Sequence, residues 1–212
     1  MQTLRYRQIH LDFHTSGDIP AVAADFDAAR FARTMKEARV NSVTVFARCH
    51  HGWMYDSQKF PQLVHPNLAR RNLLLEEARA LHAEGIKAPV YITVQWDYES
   101  ARNHPEWLIR GRMGEHEGGP FTEPGFYQSL CVNTGYLDFL KEHTREVMDL
   151  LGDELDGLFF DIVGIRPCLC AACRREMKAR GVDMADDRAV RGFAAFTMNR
   201  FKAEMTRFVR EK

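Results

Sequence analysis

Hydrophobic and polar positions alternate between two periods along this chain. Residues 5–13 alternate and then turn apolar at Ile9, Leu11 and Phe13, which predicts a strand. Residues 25–39 carry Phe26, Ala29, Phe31 and Met35 near helical spacing, with Asp25 as the expected N-cap. Ser42–Ala47 is short and β-branched, a second strand. Asn67–Glu84 carries Leu68, Leu73, Leu74, Ala78 and Leu81, and Gly85 follows as a C-cap. Pro89–Val94 is a third strand, Thr134–Leu151 a helix, and Gly157–Ile162 a fourth strand. Helical stretches near 171–180 and 187–211 end the chain.

Strand and helix alternating in this way mean parallel strands with crossover helices. The strands are apolar throughout, as expected where both faces are covered. The predicted fold class is α/β, with TIM-barrel-type (β/α) units. A complete barrel holds eight units in roughly 250 residues. Four are counted in these 212 residues, so the chain reads as a half or truncated barrel, a single domain over 1–212 that forms the N-terminal part of a larger one. Residues 96–132 form a long insertion rich in Gly, Pro, Trp and His, and loops of that length are commonly functional.

Charge narrows the partners. Lys and Arg number 29 and so do Asp and Glu. That balance argues against nucleic acid and against a membrane surface. No stretch approaches the ~20 apolar residues of a membrane span. Residues 1–7 show no secretory apolar region, so the expected location is cytoplasmic. An open sheet of four parallel strands leaves two bare edges. Self-association as a homo-oligomer, or docking to a partner chain that completes the barrel, is expected through strands one and four.

Polar residues gather just after each strand, where barrels and open α/β sheets keep their active sites. His10, Asp12 and His14 end the first; Arg48, His50, His51 and Trp53 the second; Gln95, Asp97 and Tyr98 the third; Asp161 the fourth. His10-x-Asp12-x-His14 places three polar side chains on one face of a strand. They suit a wall that hydrogen-bonds sugar hydroxyls; a packed interior histidine and a metal site are the other readings. Two adjacent histidines cannot face one way in an extended chain, so one of His50 and His51 meets a ligand while the other packs. Trp53 offers an apolar platform for a sugar ring, or packs in its loop. Gln95 and Asp97 are further candidates for substrate contact.

Asp161 leaves the greasy run Leu158-Phe159-Phe160. A carboxylate there is a catalytic group or the partner of an arginine such as Arg166 or Arg48. Glycoside hydrolysis needs two carboxylates. Asp161 suits the nucleophile, and Asp97 and Glu99 are the in-chain candidates for the second. Of five cysteines, Cys168-x-Cys170-x-x-Cys173 has metal-ligand spacing. Three clustered thiols suit tetrahedral zinc, with Cys131 chosen as the fourth ligand and Cys49 as the fallback. A closed four-thiolate site would be structural. A metal-dependent hydrolase built on His10, His14 and Asp161 and a non-catalytic carbohydrate-binding or assembly half-barrel are the competing functions.

His10-Leu-Asp-Phe-His-Thr15, His50-His51-Gly52-Trp53, Cys131-Val-Asn133, and Phe159-Phe160-Asp161 followed by the cysteine motif resemble the N-terminal barrel of the hypothetical glycosyl hydrolase 6 family. That family is similar to the α-L-fucosidases of glycoside hydrolase family 29. The resemblance implies a glycosidase with a carbohydrate substrate. It implies sugar contacts for His50 and His51 and a nucleophilic role for Asp161, hence a retaining mechanism. The cysteine motif is also similar to the zinc site of family 42 β-galactosidases, where an upstream cysteine completes the set, which implies structural zinc at Cys131, Cys168, Cys170 and Cys173.

Overall fold

The computed structural model describes residues 5–121 and 127–212. The readings placed on residues 1–4, and the part of the 96–132 segment at 122–126, lie outside the described residues. In chain order the elements are β1 (Gln8–His10), α1 (Ala28–Glu37), β2 (Ser42–Arg48), α2 (Leu73–Ala83), β3 (Val90–Thr93), α3 (Tyr98–Asn103), α4 (Tyr136–Leu151), β4 (Leu158–Asp161), α5 (Ala171–Ala179) and α6 (Asp187–Arg210). The chain divides into two compact units: Met1–Thr93 with Thr144–Asp161, and Val94–His143 with Ile162–Lys212.

The first unit holds one sheet of order β1-β2-β3-β4, every neighbouring pair parallel. Four consecutive (β/α) units are therefore present, half the number in a closed barrel. β3 is buried along its whole length, and β2 is buried except at Thr44. β1 and β4 are the edges, and Phe159 of β4 is 42% exposed. Register fixes one common face. His10 pairs with Thr44, Phe46 with Tyr91, Tyr91 with Phe159, and Thr93 with Asp161. With a side-chain period of two, His10, Phe46, Tyr91, Phe159 and Asp161 share that face. The rings bear this out, with Phe46 stacked on Tyr91 at 4.2 Å and His10 edge-on to Phe159 at 5.7 Å.

Local chemistry corrects several expected boundaries. The N-cap of α1 is Asp27, not Asp25, because the Asp27 carboxylate accepts the Arg30 N–H at 2.8 Å. α2 begins at Leu73 because Leu68 pairs with Val22 as an isolated bridge, which takes residues 67–69 out of the helix. α2 buries Leu73, Leu74, Ala78 and Leu81 and ends before Gly85, whose φ of +71° suits glycine. β1 is three residues long instead of nine, and residues 11–16 are irregular.

In the second unit the expected long loop has structure of its own. Asp97 caps α3, and isolated bridges join Trp96 to Ser129 and Leu108 to Leu130. α6 buries Val190, Phe193, Ala194, Thr197, Met198, Phe201 and Met205, a stripe at spacings of three and four. Val190 and Phe193 share a core cluster with Ile109, Met177 and four cysteines. Among the described residues no helix is long and apolar enough to cross a membrane.

Candidate functional site

Three strand ends of the first unit build one rim. The segment after β1 is held by Tyr55, whose hydroxyl donates to the Phe13 carbonyl at 2.5 Å and meets Thr15 Oγ1 at 2.7 Å. That pin sets His14 beside the turn after β2. There the Gly52 N–H donates to the Cys49 carbonyl at 3.0 Å, and Gly52 sits at φ +96°. The rings of His50 and His51 lie with their centroids 4.5 Å apart. His14 stacks flat on His50 at 4.0 Å, and its Nδ1 accepts the His50 backbone N–H at 3.2 Å. The His14 proton therefore sits on Nε2, which faces Asp12 Oδ1 at 3.7 Å. Asp12 also meets His10 Nε2 at 3.0 Å. So His10, Asp12 and His14 lie close together, although β1 ends at His10 and Asp12 and His14 lie beyond it, where the pleat does not align them.

Asp161 ends β4 on the same face. Its Oδ2 accepts the Tyr91 hydroxyl at 3.1 Å, and Tyr91 lies edge-on to His14 at 5.5 Å. Of the suggested arginines, Arg48 donates to the Thr93 carbonyl at 2.8 Å, and Arg166 bonds Glu117 within the second unit. The next residue, Ile162, holds φ +58°, an uncommon conformation for a β-branched side chain. Tyr91 gives no sign of a site role in the sequence because it reads as one more apolar residue of a buried strand. Its register opposite Phe159, two residues before Asp161, is the signal that locates it.

Burial holds these imidazoles neutral. It lowers His14, with Asp12 and Asp161 opposing. Burial, then the neighbouring His14 and His51 rings, take His50 down to about 3. Burial with His14 and His65 takes His51 to about 4. A neutral imidazole can present a donor or an acceptor, and beside a carboxylate such rings suit hydroxyl groups.

The other proposed contacts have local partners. Trp53 packs in the cluster of Val22, Phe46, Tyr55 and Leu73, and a Cβ on Gly17 would come within 3.0 Å of its Nε1. In the second unit Asp97 is fully buried, and its carboxylate accepts the Ser100 N–H at 2.8 Å and the Ser100 hydroxyl at 2.6 Å. Glu99 is paired with Arg102 at 2.5 Å. Gln95 accepts the Gly164 N–H at 2.6 Å and lines a cavity of about 20 Å³ with Cys131, Arg166 and Cys168.

That unit also carries a thiol cluster. Cys131, Cys168, Cys170 and Cys173 are all buried, and their sulfurs lie within 4.8 Å of one another. Cys131 Sγ and Cys173 Sγ are 3.5 Å apart. Tetrahedral zinc with Zn–S bonds of about 2.3 Å would set its sulfurs about 3.8 Å apart, so the set fits a metal ion. Cys49, the fallback ligand, lies in the first unit, its thiol facing the Thr15 carbonyl at 3.9 Å. Among the described residues this is the one group of three or more His, Cys, Asp or Glu side chains whose ligand atoms converge; His10, His14 and Asp161 do not form such a group.

The sequence model of the family described as "Hypothetical glycosyl hydrolase 6" matches residues 27–162. The solved structure of α-L-fucosidase isoenzyme 2 from Paenibacillus thiaminolyticus is similar at 36% identity and a TM-score of 0.88, over 97% of this chain and 31% of that one. This chain thus spans less than a third of that fucosidase. A hypothetical protein from Ruminiclostridium thermocellum shares the fold at 12% identity and a TM-score of 0.56, over 92% of both chains. No protein of curated function matches the chain.

Proposed function

The chain belongs to the hypothetical glycosyl hydrolase 6 family, and on that premise we propose that it forms the sugar-binding, nucleophile-bearing half of a retaining glycosidase with fucosidase- or galactosidase-like specificity. The observation that carries this reading is Asp161 at the end of β4, bonded to Tyr91 on the face that His10 and the aromatic rings share. His10, Asp12, His14, His50 and His51 are the hydroxyl-binding wall. In the first step an Asp161 oxygen attacks the anomeric carbon as the glycosidic bond breaks and the leaving oxygen takes a proton from a general acid. Water then attacks the same carbon from the opposite face, giving its proton to the residue that acted as acid, and the bond to Asp161 breaks, so the two inversions retain the configuration. Asp97 and Glu99 are engaged with Ser100 and Arg102, which favours an acid supplied from outside residues 1–212. In this reading those residues are the N-terminal part of a larger barrel, and the edges of β1 and β4 receive the rest or a second copy. Light scattering at several concentrations tests the second-copy form.

The test of the reaction is covalent. A 2-deoxy-2-fluoro-fucosyl or galactosyl fluoride, followed by peptide mass spectrometry, is expected to label Asp161 in the wild type and nothing in Asp161→Asn. Labelling at another carboxylate, or turnover of nitrophenyl glycosides unchanged in Asp161→Ala, overturns the assignment.

The four thiols are read as a structural zinc site, since four protein ligands leave no open position. Bound zinc would cross-link the turn at 168–173 to Cys131. One zinc per chain, lost in Cys168→Ser, is expected by elemental analysis. The competing metal-dependent hydrolase needs ligands that converge at His10, His14 and Asp161, and there the favoured contact of Asp161 is a tyrosine hydroxyl.

A further inference from the structure

A divalent ion held by four thiolates keeps two net negative charges. The cysteines here are each at most 5% exposed, so water does little to offset that charge. Part of the compensation is local. Cys170 is the N-cap of the nine-residue α5, and its N–H donates to Cys168 Sγ at 3.4 Å. The rest comes from farther along the chain. Asn133 Nδ2 donates to Cys173 Sγ at 3.7 Å. The Asn133 carbonyl oxygen accepts from Arg200 of α6 at 2.5 Å. Arg200 in turn forks onto Glu176 of α5 at 2.6 and 3.0 Å, and Glu176 is also bound by Arg180 at 2.9 Å.

We propose that Asn133 and Arg200 are positioning residues of the metal centre, a relay that aims an amide N–H at the Cys173 sulfur and sets a fixed cation behind it. The inference rests on reading the four cysteines as a metal site. An asparagine side chain turns freely unless its oxygen is held. Arg200, itself anchored on Glu176, holds that oxygen and so turns the NH₂ group toward the sulfur. The guanidinium has no acceptor atom, so the bond to Asn133 leaves no ambiguity about which end of the amide faces Cys173. Partners of this outer kind commonly contribute 10–100-fold to metal affinity. The relay also ties metal loading to α6, which supplies Arg200 and packs Val190 and Phe193 against the cysteines.

The test measures metal affinity and the spectrum of the cobalt-substituted protein. Zinc is titrated against a chromophoric chelator in the wild type, Asn133→Asp and Arg200→Met, with folding followed by circular dichroism. Asn133→Asp is the decisive variant, because it keeps and strengthens the bond to Arg200 but turns the sulfur's donor into a negative charge. A merely structural role predicts that it is tolerated. The relay predicts a 10–100-fold loss of zinc affinity and a shifted sulfur-to-cobalt charge-transfer band, with Arg200→Met losing affinity in the same direction. Unchanged affinity and an unchanged cobalt band in folded Asn133→Asp overturn the relay. A wild type that takes up neither zinc nor cobalt overturns the metal reading beneath it and the relay with it.

Discussion

At the C-terminal strand ends, burial and neighbouring imidazoles keep His14, His50 and His51 uncharged. Near the N-terminal ends of β3 and β4, burial pulls His82 the same way but loses. Its two ring nitrogens bond Asp156 at 2.6 Å and Glu154 at 2.5 Å, and the ring is held charged above its ordinary range. Asp156 also accepts from Lys87 at 2.6 Å and from the Ala88 N–H at 2.7 Å. Every partner is satisfied there, which is how a fold spends polar groups on stability. At the other end Asp161 has a tyrosine, the His51 Nδ1 is buried without a partner, and Ile162 sits at positive φ. An unpartnered buried nitrogen and a strained backbone are what the proposed sugar-binding role would need at that end.

Two aspartates five positions apart make the sharpest break in that contrast. Asp156→Asn is expected to destabilise the fold by about 2–3 kcal/mol, because it weakens a buried charge-assisted network of three donors. Urea unfolding checks it. Asp161→Asn is expected to leave stability within about 1 kcal/mol and to lower glycoside turnover on the order of a thousandfold or more. If Asp161→Asn proves the more destabilising of the two, the division of labour between the ends is wrong.

The pH dependence of stability carries the same contrast with opposite signs. His50 and His51 have folded values near 3 and 4, below the unfolded value of 6.5. Their contribution is present above pH 6.5 and drains away as pH falls toward those values. His82 has a raised folded value, so its contribution is full below 6.5 and is lost as pH rises through the folded value. His50→Gln is expected to flatten the acid limb of a plot of melting temperature against pH, and His82→Gln the limb just above 6.5. A variant that flattens the wrong limb reverses the assignment.

Much of this was legible in the sequence. β-Branched, apolar runs located β2 and β3, which are almost wholly buried, and the apolar run Leu158-Phe159-Phe160 located β4, whose faces are only partly covered; polar residues follow at each strand end. The Cys-x-Cys-x-x-Cys spacing and an upstream cysteine pointed to the same four thiols that converge. What sequence could not supply was pairing. Tyr91 is read as core until register places it beside Asp161, and Asn133 and Arg200 are 67 positions apart. Asp97 reads as a candidate for substrate contact or a second carboxylate, and in the structure it caps α3, because helix capping and substrate contact ask for the same residue after a strand. Gly52 at positive φ is the glycine that lets the chain turn directly after His50 and His51.

The smallest effect is expected at Asp12, and it asks why a carboxylate next to His14 does not charge it as Asp156 and Glu154 charge His82. Distance and solvent supply the answer. Asp12 stands 3.7 Å from His14 Nε2 and its side chain is 75% exposed, while the side chain of Asp156 is 8% exposed and in direct contact with His82. Water screens the exposed charge, so burial of the His14 ring wins. Asp12→Asn is therefore expected to change stability by less than about 0.5 kcal/mol. Because Asp12 opposes the effect of burial, its loss should move His14 still further below 6.5, as followed by imidazole proton shifts in an NMR titration. The same exposure leaves the Asp12 carboxylate open to a hydroxyl donor. A sugar that binds at this rim should then protect the His10 and His14 signals from change in the wild type more than in Asp12→Asn. Equal protection in both would remove Asp12 from the wall while leaving the imidazoles in place.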